Sequence, residues 1–171
     1  MKIKVFKLLS EIINEIGDLS NIEPYKYNLK GTGGDFKTEE GYRVNVNISK
    51  WPSDFHKNLI FPPIVETEGK NIYNIEYSVE GETSQFTKSN YKILIKILKT
   101  VSLIVKHYVE KLDSQNPIFT LFATDKKGKG QEDKQKTLIY KEILSKNIPT
   151  SYRIGLGVLT PLNIKFVYIS K

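Results

Sequence analysis

The chain has no cysteine, and among its 171 residues only two histidines and two arginines. Without cysteine there is no disulfide framework, no thiolate-ligated zinc or iron–sulfur centre and no thiol nucleophile. His56 and His107 are too few for a multi-histidine metal cage within one chain. Bidentate guanidinium recognition of a phosphate or carboxylate can come only from Arg43 and Arg153. A long hydrophobic run is missing too. The nearest approach, 93–109, is broken by Lys96, Lys99, Lys106 and His107, and its uncharged stretch 100–105 falls far short of the ~18–20 residues a membrane span needs. Near the start, Glu11, Asn14 and Glu15 interrupt any apolar signal core, so no targeting segment is expected. The expectation is a soluble cytoplasmic protein that touches no membrane.

What is present is enough for one folded domain spanning 1–171. The chain is 39% hydrophobic with ten Tyr, eight Phe and one Trp, sufficient for a packed core. Its charge is uneven. Residues 126–171 hold ten of the 26 basic residues and three of the 19 acidic ones, so they carry the whole formal +7. Lysine, isoleucine and asparagine together make up a third of the residues, a bias that AT-rich codons alone would produce.

The hydrophobic pattern predicts an amphipathic helix over 3–17, where Val5, Leu8, Leu9, Ile12, Ile13 and Ile16 share one face and Gly17 ends it. Pro24 and the Gly31-Thr32-Gly33-Gly34 cluster predict a loop over 18–41. Tyr42, Val44, Val46 and Ile48 alternate with polar residues as a half-buried strand does. The apolar stretch 58–67, broken by Pro62-Pro63, reads as an edge or bulged strand. Residues 71–79 alternate again, which suggests a three-stranded antiparallel meander over 42–80. A helix over 90–112 is apolar around so wide an arc that burial on two sides is expected. Ser89 or Asn90 would cap its start. Ile118 to Thr124 reads as a central strand, Leu138 to Asn147 as a helix stopped by Pro149, and 152–159 with 164–170 as two closing strands. The helix between the strands near 72–79 and 118–124 is a crossover, which places those two parallel. The expected class is α+β, a mixed and mostly antiparallel sheet with packed helices, in the order α-βββ-α-β-α-ββ.

Over 72–170 this order resembles the GNAT acetyltransferases. In that family a strand leads to a long helix, a second strand and helix, and two closing strands. The segment Thr137-Leu138-Ile139-Tyr140-Lys141-Glu142-Ile143-Leu144 resembles the family's late helix, whose tyrosine lies near the cofactor thiol. The resemblance implies acetyl-coenzyme A as cofactor and Tyr140 as general acid. It departs at the family's Gly-rich pyrophosphate loop between the strand and the long helix. There Gly81 to Asn90 offers a single Gly, and Glu82 would repel phosphates. A Gly-x-Gly does occur later, in Asp125-Lys126-Lys127-Gly128-Lys129-Gly130, with Asp125 where the family has Arg or Gln. Tyr77-Ser78-Val79, the 90–112 helix, Ile118 to Ala123 and Leu138-Ile139-Tyr140 also resemble features of small phage-encoded proteins of unassigned function. That resemblance implies a host-cytoplasmic or virion setting and a protein partner or assembly.

Lys126, Lys127, Gly128, Lys129, Gly130, Lys134 and Lys136 form the strongest charge cluster. They could hold an anion before a helix, contact nucleic-acid phosphates or meet an acidic protein. No aromatic residue lies in 123–139 to stack on bases, and Asp125, Glu132 and Asp133 cut the local potential. With five lysines and no apolar side chain, 125–136 is expected to be mobile in the free chain and to be its main contact surface. His56 beside Ser53 and Asp54 suggests a triad only by adjacency, which is no evidence of convergence. His107 reads as a helix-edge residue. Glu66 with Glu68, Glu80 with Glu82, and Glu39-Glu40 are acid pairs at strand ends and turns, where charge is ordinarily solvated. No metal site is expected. The leading reading is a non-enzymatic phage-type accessory, host-interaction or virion-associated protein without a cofactor. The alternatives are an acyl-coenzyme A-dependent N-acyltransferase with a divergent cofactor loop and a basic nucleic-acid-binding protein.

Overall fold

A computed structural model describes residues 21–80, 91–122 and 134–171. The helix expected over 3–17, the Ser89 or Asn90 cap and most of the 125–136 segment lie outside them. The strands are β1 (Tyr27–Lys30), β2 (Gly33–Lys37), β3 (Arg43–Lys50), β4 (Leu59–Ile60), β5 (Ile72–Glu80), β6 (Ile118–Leu121), β7 (Arg153–Leu159) and β8 (Ile164–Ser170). The helices are α1 (Tyr91–Lys111), between β5 and β6, and α2 (Lys134–Asn147), between β6 and β7. All eight strands form one sheet in the order β1-β2-β3-β5-β6-β8-β7-β4. Only β5 and β6 run parallel, as a helical crossover demands. The class is therefore α+β with a mixed, mostly antiparallel sheet. No helix among the described residues is long and apolar enough to cross a membrane.

Two expectations are corrected. The stretch 18–41 is not all loop, because residues 27–37 form a β1–β2 hairpin. Its glycines mislead because they answer to packing as well as to turning. Gly31 has φ +53° in the two-residue turn, the preference of glycine in a tight hairpin. Gly33 sits so close to β3 that a Cβ would lie 1.9 Å from the Val46 carbonyl oxygen. A Cβ on Gly34 would meet the Asn28 carbonyl oxygen at 2.6 Å and the Ile104 side chain of α1 at 3.2 Å. The meander over 42–80 is the second correction. β3 pairs directly with β5, Arg43 opposite Glu80 through Lys50 opposite Tyr73. The intervening chain leaves the sheet at Trp51-Pro52, turns through a short 3-10 helix (Ser53–Asn58) and reaches the far edge, where β4 pairs with β7. Pro62-Pro63 confines it to an edge, as expected from the missing N–H groups.

The route of that segment creates two cores. On the helix face, Val44, Val46, Ile48, Ile75, Phe119, Val167 and Ile169 pack against α1 and α2. On the opposite face, Ile72, Ile118, Phe166 and Tyr168 are covered by Leu59 and Val65, with Trp51, Phe55, Phe61 and Phe122 around them. The central strand β6 is therefore buried at every position. The outer half of the second face stays polar, with Lys30, Lys37, Arg43, Asn47 and Glu76 exposed. α1 is buried on more than one side, as its composition predicts: Ile95, Leu98, Val101, Ile104, Val105 and Val109 are all buried. One lysine of α1 is buried. Lys99 is only 9% exposed, its Nζ donates to the Ile22 carbonyl, and loss of hydration holds its pKa below the usual lysine value.

Candidate functional site

The β5–β6 junction gathers the polar chemistry of the sheet. β6 pairs with Ile72 to Ile75 only, while β5 continues to Glu80. Beyond Ile75 no described strand continues the ladder on the β6 side of β5. Ligands of open α/β sheets enter at the carboxyl ends of parallel strands, where neighbouring connections part. Tyr77, two residues past the last paired position, points to the helix face. There its hydroxyl hydrogen-bonds the hydroxyl of Tyr140 from α2. The rings meet edge-on, with centroids 5.8 Å apart and planes at 66°. Tyr140 is 5% exposed, and Thr137, one turn earlier, is buried beside it in sequence and face. The helical period of α2 brings Thr137, Tyr140 and Leu144 to one side.

The other face of the junction holds a relay of hydrogen bonds. Trp51 Nε1 donates to Thr120 Oγ1 at 2.9 Å. The Thr120 hydroxyl lies 3.3 Å from both the Asn74 side-chain oxygen and the Tyr73 carbonyl. Asn74 Nδ2 donates to Glu76 Oε1 at 2.8 Å. Thr120 and Asn74 are buried and Glu76 is exposed, so the chain runs from the second core out to water. Trp51 ends the run by stacking on Phe55, centroids 4.5 Å apart. Buried polar groups are held by such partners because an orphaned one costs its full desolvation.

The structure brings few of the sequence candidates together. Tyr140 joins Tyr77, a residue that the strand pattern placed but to which it gave no role. Lys126, Lys127, Gly128, Lys129 and Gly130 lie outside the described residues. Lys134 and Lys136 open α2, and their side chains are likewise outside the description. His56 is half-buried on the 3-10 helix, its Nε2 3.3 Å from the Trp51 carbonyl oxygen, while Ser53 and Asp54 are exposed. His107 is exposed and edge-on to Tyr108, ring centroids 5.1 Å apart. Glu66 and Glu68 are exposed, and Glu80 accepts from Asn45 at 3.4 Å; Glu82 lies outside the described residues. Glu39 pairs with Lys96 and Glu40 accepts from Tyr25. Among the described residues, no group of three or more His, Cys, Asp or Glu side chains is placed to hold a metal ion.

A second polar cluster lies at the far end of α1. Asp113 accepts from Tyr152 and from Lys171, and these hydrogen bonds hold its carboxyl below the usual aspartate range. Burial, reinforced by the Asp113 contact, pushes the Tyr152 hydroxyl above the usual tyrosine value. The cleft there, about 320 Å³, is shallow and open to solvent, and Glu110, Pro149 and Ser151 complete its lining. Neither a protein-family model nor a curated protein nor a solved structure matches this chain.

Proposed function

We propose that the chain is a non-enzymatic accessory protein that binds a protein partner, in a phage-type host-interaction or virion setting, on an acyltransferase-like framework. One observation carries the accessory reading. Tyr140, the residue that the acetyltransferase resemblance makes a general acid, is buried, and its hydroxyl is bonded to Tyr77 where β5 and β6 part. A general acid must reach the reacting group at hydrogen-bond distance. A buried hydroxyl bonded to a neighbouring tyrosine supports a role in packing and register. The setting rests on the resemblance to small phage-encoded proteins.

A specific observation favours the acyltransferase with a divergent cofactor loop as second reading. β5 runs on past its pairing with β6, so the two parallel strands part at their carboxyl ends, where ligands of open sheets enter. Under that reading acetyl-coenzyme A would be the cofactor and Tyr140 would approach its thiol. Titration of the protein with acetyl-coenzyme A, followed by calorimetry and by amide exchange at Tyr77 and Tyr140, separates the two. The accessory reading expects no saturable heat and no protection. Saturable binding that protects both tyrosines, with transfer activity lost in Tyr140→Phe, would replace it with the enzyme.

A further inference from the structure

Among the described residues the sheet ends at β1, and the direction of its backbone groups follows from the register. Ile48 N donates to the Thr32 carbonyl oxygen at 2.8 Å. In an antiparallel ladder bonded and non-bonded pairs alternate, so the even-numbered residues of β2 bond to β3 and Gly33 and Asp35 bond to β1. Their partners are Lys30 and Asn28. Tyr27 and Leu29 therefore turn their own N–H and C=O groups outward, away from β2. Their side chains lie on the helix face, 36% and 42% exposed. An edge that no other described strand pairs, with outward donors and acceptors and exposed apolar side chains, is a template for another strand.

Charge selects the strand. Lys30 lies on the opposite face, 68% exposed and paired with Asp35, and Lys26 stands four residues earlier, two alternations back and just before β1. Behind them Lys37 pairs across with Arg43. Within the strands β1 to β3 Asp35 is the one acid, and Glu23, Glu39 and Glu40 lie in the flanking segments, so the basic character rests on Lys26 and Lys30 at β1 and on Lys37 and Arg43 behind them. A second copy centred on Asn28 or Leu29 fits poorly. Antiparallel self-pairing centred on Asn28 sets Tyr27 against Leu29 but also Lys26 against Lys30, and like charges directly opposite destabilise a pair. Centring on Leu29 sets Tyr27 against Gly31, where the turn ends the strand.

We propose that the β1 edge accepts an extended acidic segment of a protein partner as a ninth strand, with apolar residues opposite Tyr27 and Leu29 and acidic residues opposite Lys26 and Lys30. This deepens the accessory reading and rests on it. The coenzyme A experiment reads Tyr77 and Tyr140 and this one reads Tyr27 and Leu29, so either can fail alone. The probe is a capped nine-residue peptide with the core Glu-Val-Thr-Val-Glu, compared with the same peptide carrying Lys for Glu. Amide exchange by NMR at low ionic strength should show the acidic peptide slowing Tyr27 and Leu29 at least tenfold, saturably. The protection should weaken in 0.5 M NaCl, as steering by screened charge requires. The lysine peptide should protect neither. Leu29→Pro removes an outward N–H without breaking a β1–β2 bond, so it should fold and lose the protection at Tyr27, the amide left to read. Lys26→Glu should shift the preference towards the lysine peptide. Equal binding of both peptides, or no protection by either, overturns the proposal and leaves the lysines as guards against edge-to-edge aggregation. Protection that grows with protein concentration without peptide overturns it in favour of a second copy.

Discussion

Replacing Thr120 by valine keeps the shape of a fully buried side chain and deletes one hydroxyl. That hydroxyl accepts from Trp51 Nε1 and lies within bonding distance of the Asn74 side-chain oxygen. Both partners are then left without it. An orphaned buried polar group costs about 1–3 kcal/mol. Half-buried Trp51 can recover part of its loss from water, whereas Asn74 is buried and can recover little. The added methyl returns up to ~0.8 kcal/mol. The net expectation for Thr120→Val is a loss of about 2 kcal/mol. For a chain of this size that lowers Tm by roughly 4–8 °C. Trp51 is the single tryptophan, so its fluorescence during urea unfolding reports directly on the site. Trp51→Phe, followed by circular dichroism, completes a double-mutant cycle. The two losses should be less than additive by about 1 kcal/mol, because either change breaks the same bond. A Thr120→Val protein within 0.5 kcal/mol of the parent, or a strictly additive cycle, would refute the idea that this relay fastens the 51–71 segment to β6.

Two further outcomes follow from the core and from the charge pairs. Ile104 is fully buried on α1 over Gly34, so Ile104→Asp should cost about 3–5 kcal/mol by placing an unpaired charge in an apolar contact; an unchanged urea midpoint would show that α1 is not the structural centre. Asp113 has its pKa lowered from 3.8 by the Lys171 and Tyr152 hydrogen bonds, so its stabilisation is complete above the unfolded value and fades as pH falls through the lower folded value. The Tm gap between parent and Asp113→Asn should therefore shrink below about pH 3.8, and a gap that widens there would contradict the sign.

Legibility in the sequence followed the strength of local periodicity. β3 and β5 alternate cleanly, α1 is apolar over many turns, and α2 carries a clear stop at Pro149, so their existence and type could be read directly. The parallel pairing of β5 with β6 was also legible, because a helix between neighbouring strands leaves no other short route. Gly33 and Gly34 hid the β1–β2 hairpin, since glycine signals a turn and close backbone approach in the same letter. Lys99 read as a break in the apolar run 93–109, yet it reaches a backbone carbonyl 77 positions away.

The sequence by itself determined β3, β5, α1, α2, β7 and β8 and which face of the alternating strands is apolar, because those properties are set within a few residues by period and turn chemistry; it did not determine β1 and β2. It also pointed to Tyr140. Only the tertiary structure decided that β4 belongs at the far edge beside β7, that Trp51 reaches Thr120, that Tyr77 meets Tyr140 and that β1 is left as an edge. Each of these depends on partners brought together by the whole chain. Pairing and burial are properties of the assembled sheet, and no local pattern encodes which distant residue will stand opposite.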